Sequence, residues 1–171
     1  FKVTAIGNSA IYFDNVTFTK NNEDVWASNP LYFWPAFPLT FCAYNTPSAY
    51  NTQTQTTGFA RTINKTTQQL EVAPAKELAY QQDLVAAYAA DKKESDATNT
   101  GNSLSLTFNH YLTQVIVKAT NARSTTYKVV VDGVKIANMA AEGTYTFWNN
   151  TMTADDRNVN SENSINYTAT F

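Results

Sequence analysis

Residues 29–47 read NPLYFWPAFPLTFCAYNTP, and these nineteen positions hold six aromatic residues and four prolines. The second half has the two-residue period of a β-strand, in which successive side chains point to opposite faces. Proline cannot take part in a central ladder, so the first half is predicted to be an extended crossing segment that carries rings to one end of a β-sandwich. The two faces of the predicted strand carry Leu39, Phe41 and Ala43 on one side and Thr40, Cys42 and Tyr44 on the other.

The rings of this stretch have two possible roles. Large rings contribute heavily to small cores, so Trp34, Phe37 and Phe41 are predicted to close the end of the core. The alternative is an exposed aromatic platform that stacks on sugar rings. The best candidates for surface rings are Tyr32, Tyr44 and Tyr50.

The composition narrows the class of protein. The chain has 171 residues, which is long enough for one domain with its own core, and its net charge is −2. Lys and Arg are too few and too scattered for a nucleic-acid partner. Cys42 is the only cysteine and His110 the only histidine, so neither an internal disulfide nor a Cys/His metal motif is predicted. No catalytic motif is present, and we predict that the chain is not an enzyme.

Short alternating runs separated by polar turns continue along the chain, and this spacing is typical of an all-β sandwich or barrel. The runs cover residues 1–6, 12–19, 39–45, 58–64, 68–74, 103–109, 114–120, 125–138, 143–148 and 165–171.

One segment disagrees with this pattern. Residues 75–90 are rich in Ala, Leu, Glu, Lys and Gln, and Pro74 suits the first turn of a helix. Local propensity therefore predicts a helix here, whereas the β context of the remaining chain favours a strand.

The stretch SLSLTFNHYLTQVIVKAT (103–120) changes phase at its centre. A one-residue slip moves every side chain to the other face, so the chain must bulge or turn within 110–113. We predict that His110 bonds backbone groups at this irregularity. A role as general base or metal ligand is disfavoured, because no second histidine and no converging acids lie nearby. The inward positions are predicted to be Leu104, Leu106 and Phe108 before the break, and Val115, Val117 and Ala119 after it.

Four motifs, in order, resemble those of the fimbrillin-like proteins of Bacteroidia, which are the subunits of type V pili. They are LYFWPAFPLTFCAY (31–44), QQDLVAAYA (81–89), LSLTFNHYLTQVIVKATN (104–121) and VKIANMAAEGTYTF (134–147). The chain departs from the family pattern at Cys42, which replaces an aromatic residue, and at Tyr111, which replaces a small one. The residues that match the family's motifs are Trp34, Pro35, Phe41, Tyr44, Asp83, Leu84, Phe108, His110, Leu112 and Gly143.

The resemblance implies a fold and a domain organisation. The expected fold is a transthyretin-like Greek-key β-sandwich of about seven or more strands, with residues 83–89 as a strand and at most a short helix or turn near residues 75–82. Residues 1–171 are expected to form a single domain, similar to the N-terminal domain of a two-domain subunit. The leader, the first strand and the C-terminal domain of such a subunit are expected to lie outside this chain.

The resemblance also implies a function. It implies a structural subunit or adhesin of a cell-surface pilus that is exported as a lipoprotein precursor to the outer membrane and assembles by strand complementation. The expected partners are other pilus subunits, together with a surface protein or glycan of a host or bacterium, and no cofactor is expected. The alternative function is a surface carbohydrate-binding module.

Overall fold

The computed structural model describes residues 1–22, 25–45, 63–74, 81–97, 103–122, 125–140, 142–154 and 164–170. These residues form eleven strands, and the only other regular element among them is a 3₁₀ turn at Glu94–Asp96. The strands are β1 (Lys2–Gly7), β2 (Ala10–Lys20), β3 (Trp26–Ser28), β4 (Leu39–Tyr44), β5 (Gln69–Val72), β6 (Val85–Lys92), β7 (Asn109–His110), β8 (Gly133–Ala140), β9 (Gly143–Thr146), β10 (Thr151–Ala154) and β11 (Ser164–Thr170).

The strands form three antiparallel sheets. The largest has the order β3-β2-β1-β4-β6-β7, the second has the order β10-β9-β5, and β8 pairs with β11. The six-stranded and three-stranded sheets enclose a common apolar core, so the predicted all-β sandwich is confirmed. The Greek-key connection stays a prediction.

Strand β4 lies at the centre of the large sheet and is covered on both faces, as its alternating sequence predicts. Cys42 and Tyr44 belong to a sandwich core shared with Leu70 of β5 and Tyr145 of β9. The opposite side of β4 contributes to a second cluster, the outer core. The buried members of the outer core are Val3, Ala5, Phe13, Leu39, Phe41, Ala43 and Ala87.

The proline-rich segment before β4 lies outside the ladders and carries rings onto the outer core, as predicted. The Trp34 ring meets Phe41 edge-on, with ring centroids 5.7 Å apart. The Phe37 ring packs directly on Gly7, where a Cβ atom would lie 2.6 Å from the ring. A larger residue at position 7 would therefore displace this ring.

The surface-ring prediction is wrong for Tyr44, whose side chain is 2% exposed. A central strand with both faces covered leaves no solvent-facing position here. Burial raises the pKa of Tyr44 to about 12, and its hydroxyl donates to Asn15 Oδ1 at 2.9 Å. Tyr32 is 40% exposed, and Tyr50 lies outside the described residues.

The conflict between helix and strand at residues 75–90 is resolved in favour of the strand from Val85 onward. Strand β6 pairs with β4 on one side and with β7 on the other, which supplies hydrogen bonds that an isolated propensity scale ignores. Residues 81–84 are neither helix nor strand, and residues 75–80 lie outside the described residues.

Three predicted strands do not form as expected within the described chain. Residues 104–108 keep the inward alternation of Leu104, Leu106 and Phe108 but join no ladder. Residues 113–120 and 127–132 form no strand and are exposed, so the predicted burial of Val115, Val117 and Ala119 is wrong. Alternation marks a segment that is able to form a strand, but a strand also needs a neighbouring edge. The large sheet ends at the two-residue strand β7.

Replacing Leu70 by Ala should lower the free energy of unfolding by about 2–5 kcal/mol, because it removes a fully buried side chain from the sandwich core. Urea denaturation measures this change. The control is Val130→Ala, an exposed position where the change should stay within about 0.5 kcal/mol. Similar losses in the two variants would contradict the core assignment.

Candidate functional site

A cavity of about 770 Å³ opens on the outer-core face of the large sheet. We call it the aromatic groove. Its floor comes from strands β1, β2 and β4, one wall comes from residues 25–34, and a second wall comes from residues 103–108. The floor residues are Val3, Phe13, Phe18, Leu39 and Phe41.

The groove is apolar, and the described residues that line it include no charged side chain. Two of its side-chain hydroxyls bond groups of its own walls. Ser28 Oγ donates to the carbonyl oxygen of Pro30 at 2.8 Å, and the Tyr12 hydroxyl donates to the carbonyl oxygen of Phe33. The groove therefore suits an apolar occupant better than a polar one.

The wall formed by residues 31–34 alternates between inward and outward side chains. Tyr32 stacks on Phe13 with ring centroids 4.6 Å apart, and Trp34 packs on Phe41. Leu31 and Phe33 also line the groove but are 69% and 81% exposed. The inward rings hold the segment in place, so the outward pair forms a fixed apolar rim.

A strand edge runs beside the groove. Strand β3 pairs only with Phe18, Thr19 and Lys20 of β2. The preceding part of β2, Ala10–Thr17, pairs with β1 on its inner side but with no strand of the described chain on its outer side. Such an edge is a template for a further strand.

Asp83 links two segments that are distant in sequence. Its Oδ1 accepts a hydrogen bond from the Leu112 N–H at 3.0 Å, and its Oδ2 pairs with Nδ1 of His110. We call this arrangement the Asp83 clasp. Asn45 extends it to β4, because its side chain donates to the Asp83 carbonyl oxygen and accepts from the Val85 N–H, both at 2.8 Å.

The clasp lies at the change of phase that the sequence predicts near His110. Asn109 and His110 are both exposed, whereas the next two residues, Tyr111 and Leu112, both pack against the sandwich core. The predicted partner of His110 was wrong in detail. Asp83 takes the unpaired backbone N–H, and His110 bonds the carboxylate. Sequence reasoning missed this acid because it lies 27 positions away.

The clasp is a structural arrangement of one acid and one imidazole. The described residues include no group of three or more His, Cys, Asp or Glu side chains that could hold a metal ion. Cys42 is fully buried, and burial raises its pKa to about 12, so the thiolate that a nucleophile needs does not form near neutral pH.

The ten motif residues separate into three groups in space. One group belongs to the aromatic groove, a second belongs to the clasp, and a third lies in or beside the sandwich core. Gly143 is in the third group, between β10 and β5, where a Cβ atom would lie 2.9 Å from the Thr153 carbonyl oxygen. The groups are Trp34, Pro35, Phe41 and Phe108 at the groove or its wall segment, Asp83, His110 and Leu112 in the clasp, and Tyr44, Leu84 and Gly143 in or beside the sandwich core.

Several groove residues were not identified as site residues from the sequence. Phe1 and Val3 lie in the alternating run predicted at residues 1–6, but nothing local indicates that this run borders an open groove. Trp26 lies in a three-residue strand that follows a polar break, which is too short for an alternation signal. The groove is assembled from five segments of the chain, so the tertiary structure was needed to find it.

The fold and the site together define a β-sandwich domain with an open apolar groove beside a free strand edge. A sequence model of the fimbrillin-like family matches residues 1–170, and the chain belongs to that family. Neither a curated protein nor a solved structure matches the chain. Family membership suggests a pilus or fimbrial subunit that is located at the cell surface and assembles with other pilus subunits.

The family is typically structural rather than enzymatic. In the part of the chain that the structure describes, no helix has the length and apolar character needed to cross a membrane.

Replacing Asp83 by Ala should lower the free energy of unfolding by about 1–3 kcal/mol, because the Leu112 N–H and His110 lose their common acceptor. Asp83→Asn should lose less, because its amide oxygen can still accept from Leu112. Urea denaturation compares these variants with Asp132→Ala at an exposed acid. Equal effects at positions 83 and 132 would contradict the clasp.

The stability of the protein should fall in alkali, partly through Cys42. Its pKa is raised from 9.0 to about 12 in the folded state, so the unfolded thiol ionises first. Its contribution to stability is therefore complete below pH 9 and is lost as the pH rises from about 9 to about 12. Urea denaturation at pH 7, 9 and 10 should give a shallower decline for Cys42→Ala than for the native chain. Parallel declines would contradict this assignment.

Proposed function

We propose that this chain is a pilus subunit whose aromatic groove accepts an extended apolar strand from a neighbouring subunit. The observation that carries the proposal is the position of the groove beside the outer edge of Ala10–Thr17 in β2, which pairs with no strand of the described chain. Family membership supports the neighbouring subunit as the source of the strand.

Strand addition would pair the outer edge of β2 and fill the apolar groove at the same time. The N–H and C=O groups of β2 that face its outer edge would pair with the incoming backbone, and every second side chain of the incoming strand would enter the groove. Burying each aliphatic side chain contributes about 1.5–3 kcal/mol, so a few such residues give stable association without a covalent bond. The exposed rim of Leu31 and Phe33 would add contact area at the mouth of the groove.

The alternative is a surface module that binds carbohydrate through its rings. A sugar ring needs hydrogen-bonding groups beside the aromatic face that it stacks on. In this groove the Ser28 and Tyr12 hydroxyls already donate to carbonyl oxygens of their own walls. This observation favours an apolar strand over a glycan as the occupant of the groove.

We further propose that residues 1–171 are the N-terminal domain of a two-domain subunit that is exported as a lipoprotein and is either anchored in the outer membrane or incorporated into a pilus. The order of the family motifs supports this assignment. The full precursor sequence tests it, because a lipobox upstream and a second β-domain downstream are expected.

A synthetic peptide tests the groove directly. A fluorescent nine-residue peptide of four valines alternating with threonine, with a lysine at each end, should bind the native chain. Leu106→Glu places a carboxylate in the groove wall and should weaken binding about tenfold or more, because a charge buried beside apolar side chains loses its hydration. Fluorescence anisotropy gives the dissociation constants.

The matched control is Thr107→Glu, which adds the same charge at the next position, where the side chain faces solvent. Binding by this variant should stay close to that of the native chain. Equal weakening in both variants would place the peptide outside the groove. Binding of an oligosaccharide that Leu106→Glu abolishes, together with no peptide binding, would favour the carbohydrate module.

A further inference from the structure

Three rings bridge the two walls of the aromatic groove at one end. The Phe1 ring lies 4.8 Å from the Trp26 ring and 4.3 Å from the Phe108 ring, measured between centroids. Trp26 belongs to the wall that contains β3, and Phe108 belongs to the wall formed by residues 103–108. We call these three residues the ring triad.

One member of the triad, Phe1, is held by two hydrogen bonds to the backbone of Phe18. The amino group of Phe1 donates to the Phe18 carbonyl oxygen at 3.1 Å, and the Phe18 N–H donates back to the Phe1 carbonyl oxygen at 2.8 Å. Phe1 is thus fixed at the start of β1. The opposite end of β1, where Phe37 packs on Gly7, lies about 20 Å away at the rise of a strand.

A strand that enters an apolar groove has a register problem. A slip of one residue turns its apolar side chains away from the groove, so alternation alone excludes odd slips. A slip of two residues keeps every apolar side chain facing inward, and alternation does not exclude it. A barrier at one end of the groove would prevent a two-residue slip toward that end.

We propose that the ring triad is this barrier and that it fixes the register of the inserted strand. This inference rests on the proposed function of the groove. The last apolar side chain of the incoming strand contacts Phe1 and Phe108, and the triad occupies the place that the next inward side chain, two residues further on, would take. Phe108 and Trp26 are therefore specificity-determining residues, because they set which side chain of the strand occupies the final position.

A position scan of the nine-residue peptide tests the barrier. Each of its four valines is replaced in turn by tryptophan, and the four dissociation constants are measured for the native chain. The peptide with tryptophan at the terminal position next to the triad should bind about tenfold more weakly than the peptide with tryptophan at the opposite end. The reason is that a filled apolar site discriminates against added volume.

Phe108→Ala should restore binding of the peptide that carries tryptophan at that terminal position and should leave binding of the other three tryptophan peptides unchanged. Leu106→Ala is the matched control, because it removes a side chain from the same wall two residues away. It should strengthen binding of a peptide that carries tryptophan at an interior position. Trp26→Ala opens the triad from the other wall. Like Phe108→Ala, it should restore binding of the peptide that carries tryptophan at the terminal position. The two variants give independent tests if one of them folds poorly, which circular dichroism detects.

The outcomes separate this inference from the proposed function. If the native chain binds no peptide, both are overturned. If the native chain binds the peptide, two results contradict the barrier but not the proposed role of the groove. One is that Phe108→Ala strengthens binding of all four tryptophan peptides equally. The other is that it strengthens binding of the same tryptophan peptide as Leu106→Ala. Relief confined to the terminal position in both triad variants supports the barrier.

Discussion

Burial of strand β4 on both faces is the constraint on which the rest of this structure depends. Its alternating sequence places apolar side chains on each side, so the strand is stable only between two covering layers. The three-stranded sheet covers one side through Leu70 and Tyr145. Among the described residues, single rings and short segments cover the other side, and no described sheet packs on it. This incomplete layer creates the aromatic groove.

The incomplete layer connects the fold to a role in assembly. In the described chain an apolar groove lies beside a strand edge that pairs with no other described strand, and an added strand would cover the groove and extend the ladder. Donor and acceptor surfaces that differ from each other make a head-to-tail contact, which extends into a filament when the rotation does not close into a ring. Under the proposed function, the groove is the acceptor half of such a contact.

The Asp83 clasp explains how one wall of the groove is positioned. Residues 104–108 join no ladder of the described chain, and their inward side chains pack on the outer core. The chain is also held at the point where this segment ends. There the carboxylate of Asp83 binds both His110 and the Leu112 N–H, while Phe108 packs on the outer core and Leu112 packs against the sandwich core. The clasp therefore fixes the point at which the chain crosses from one core to the other.

The sequence by itself determined the β class, the two faces of β4, the core-facing rings before it and the inward side of residues 104–108, because these follow from a local period of two. It also located the change of phase at His110. The tertiary structure decided what local rules leave open. Pairing with β4 and β7 made a strand of β6 against its helix propensity, and lack of a partner strand in the described chain left Val115 and Val117 exposed. The tertiary structure also decided two contacts between residues that are distant in sequence. One joins Asp83 to His110, and the other joins Phe1 to Trp26 and Phe108. Only the folded chain brings these residues together.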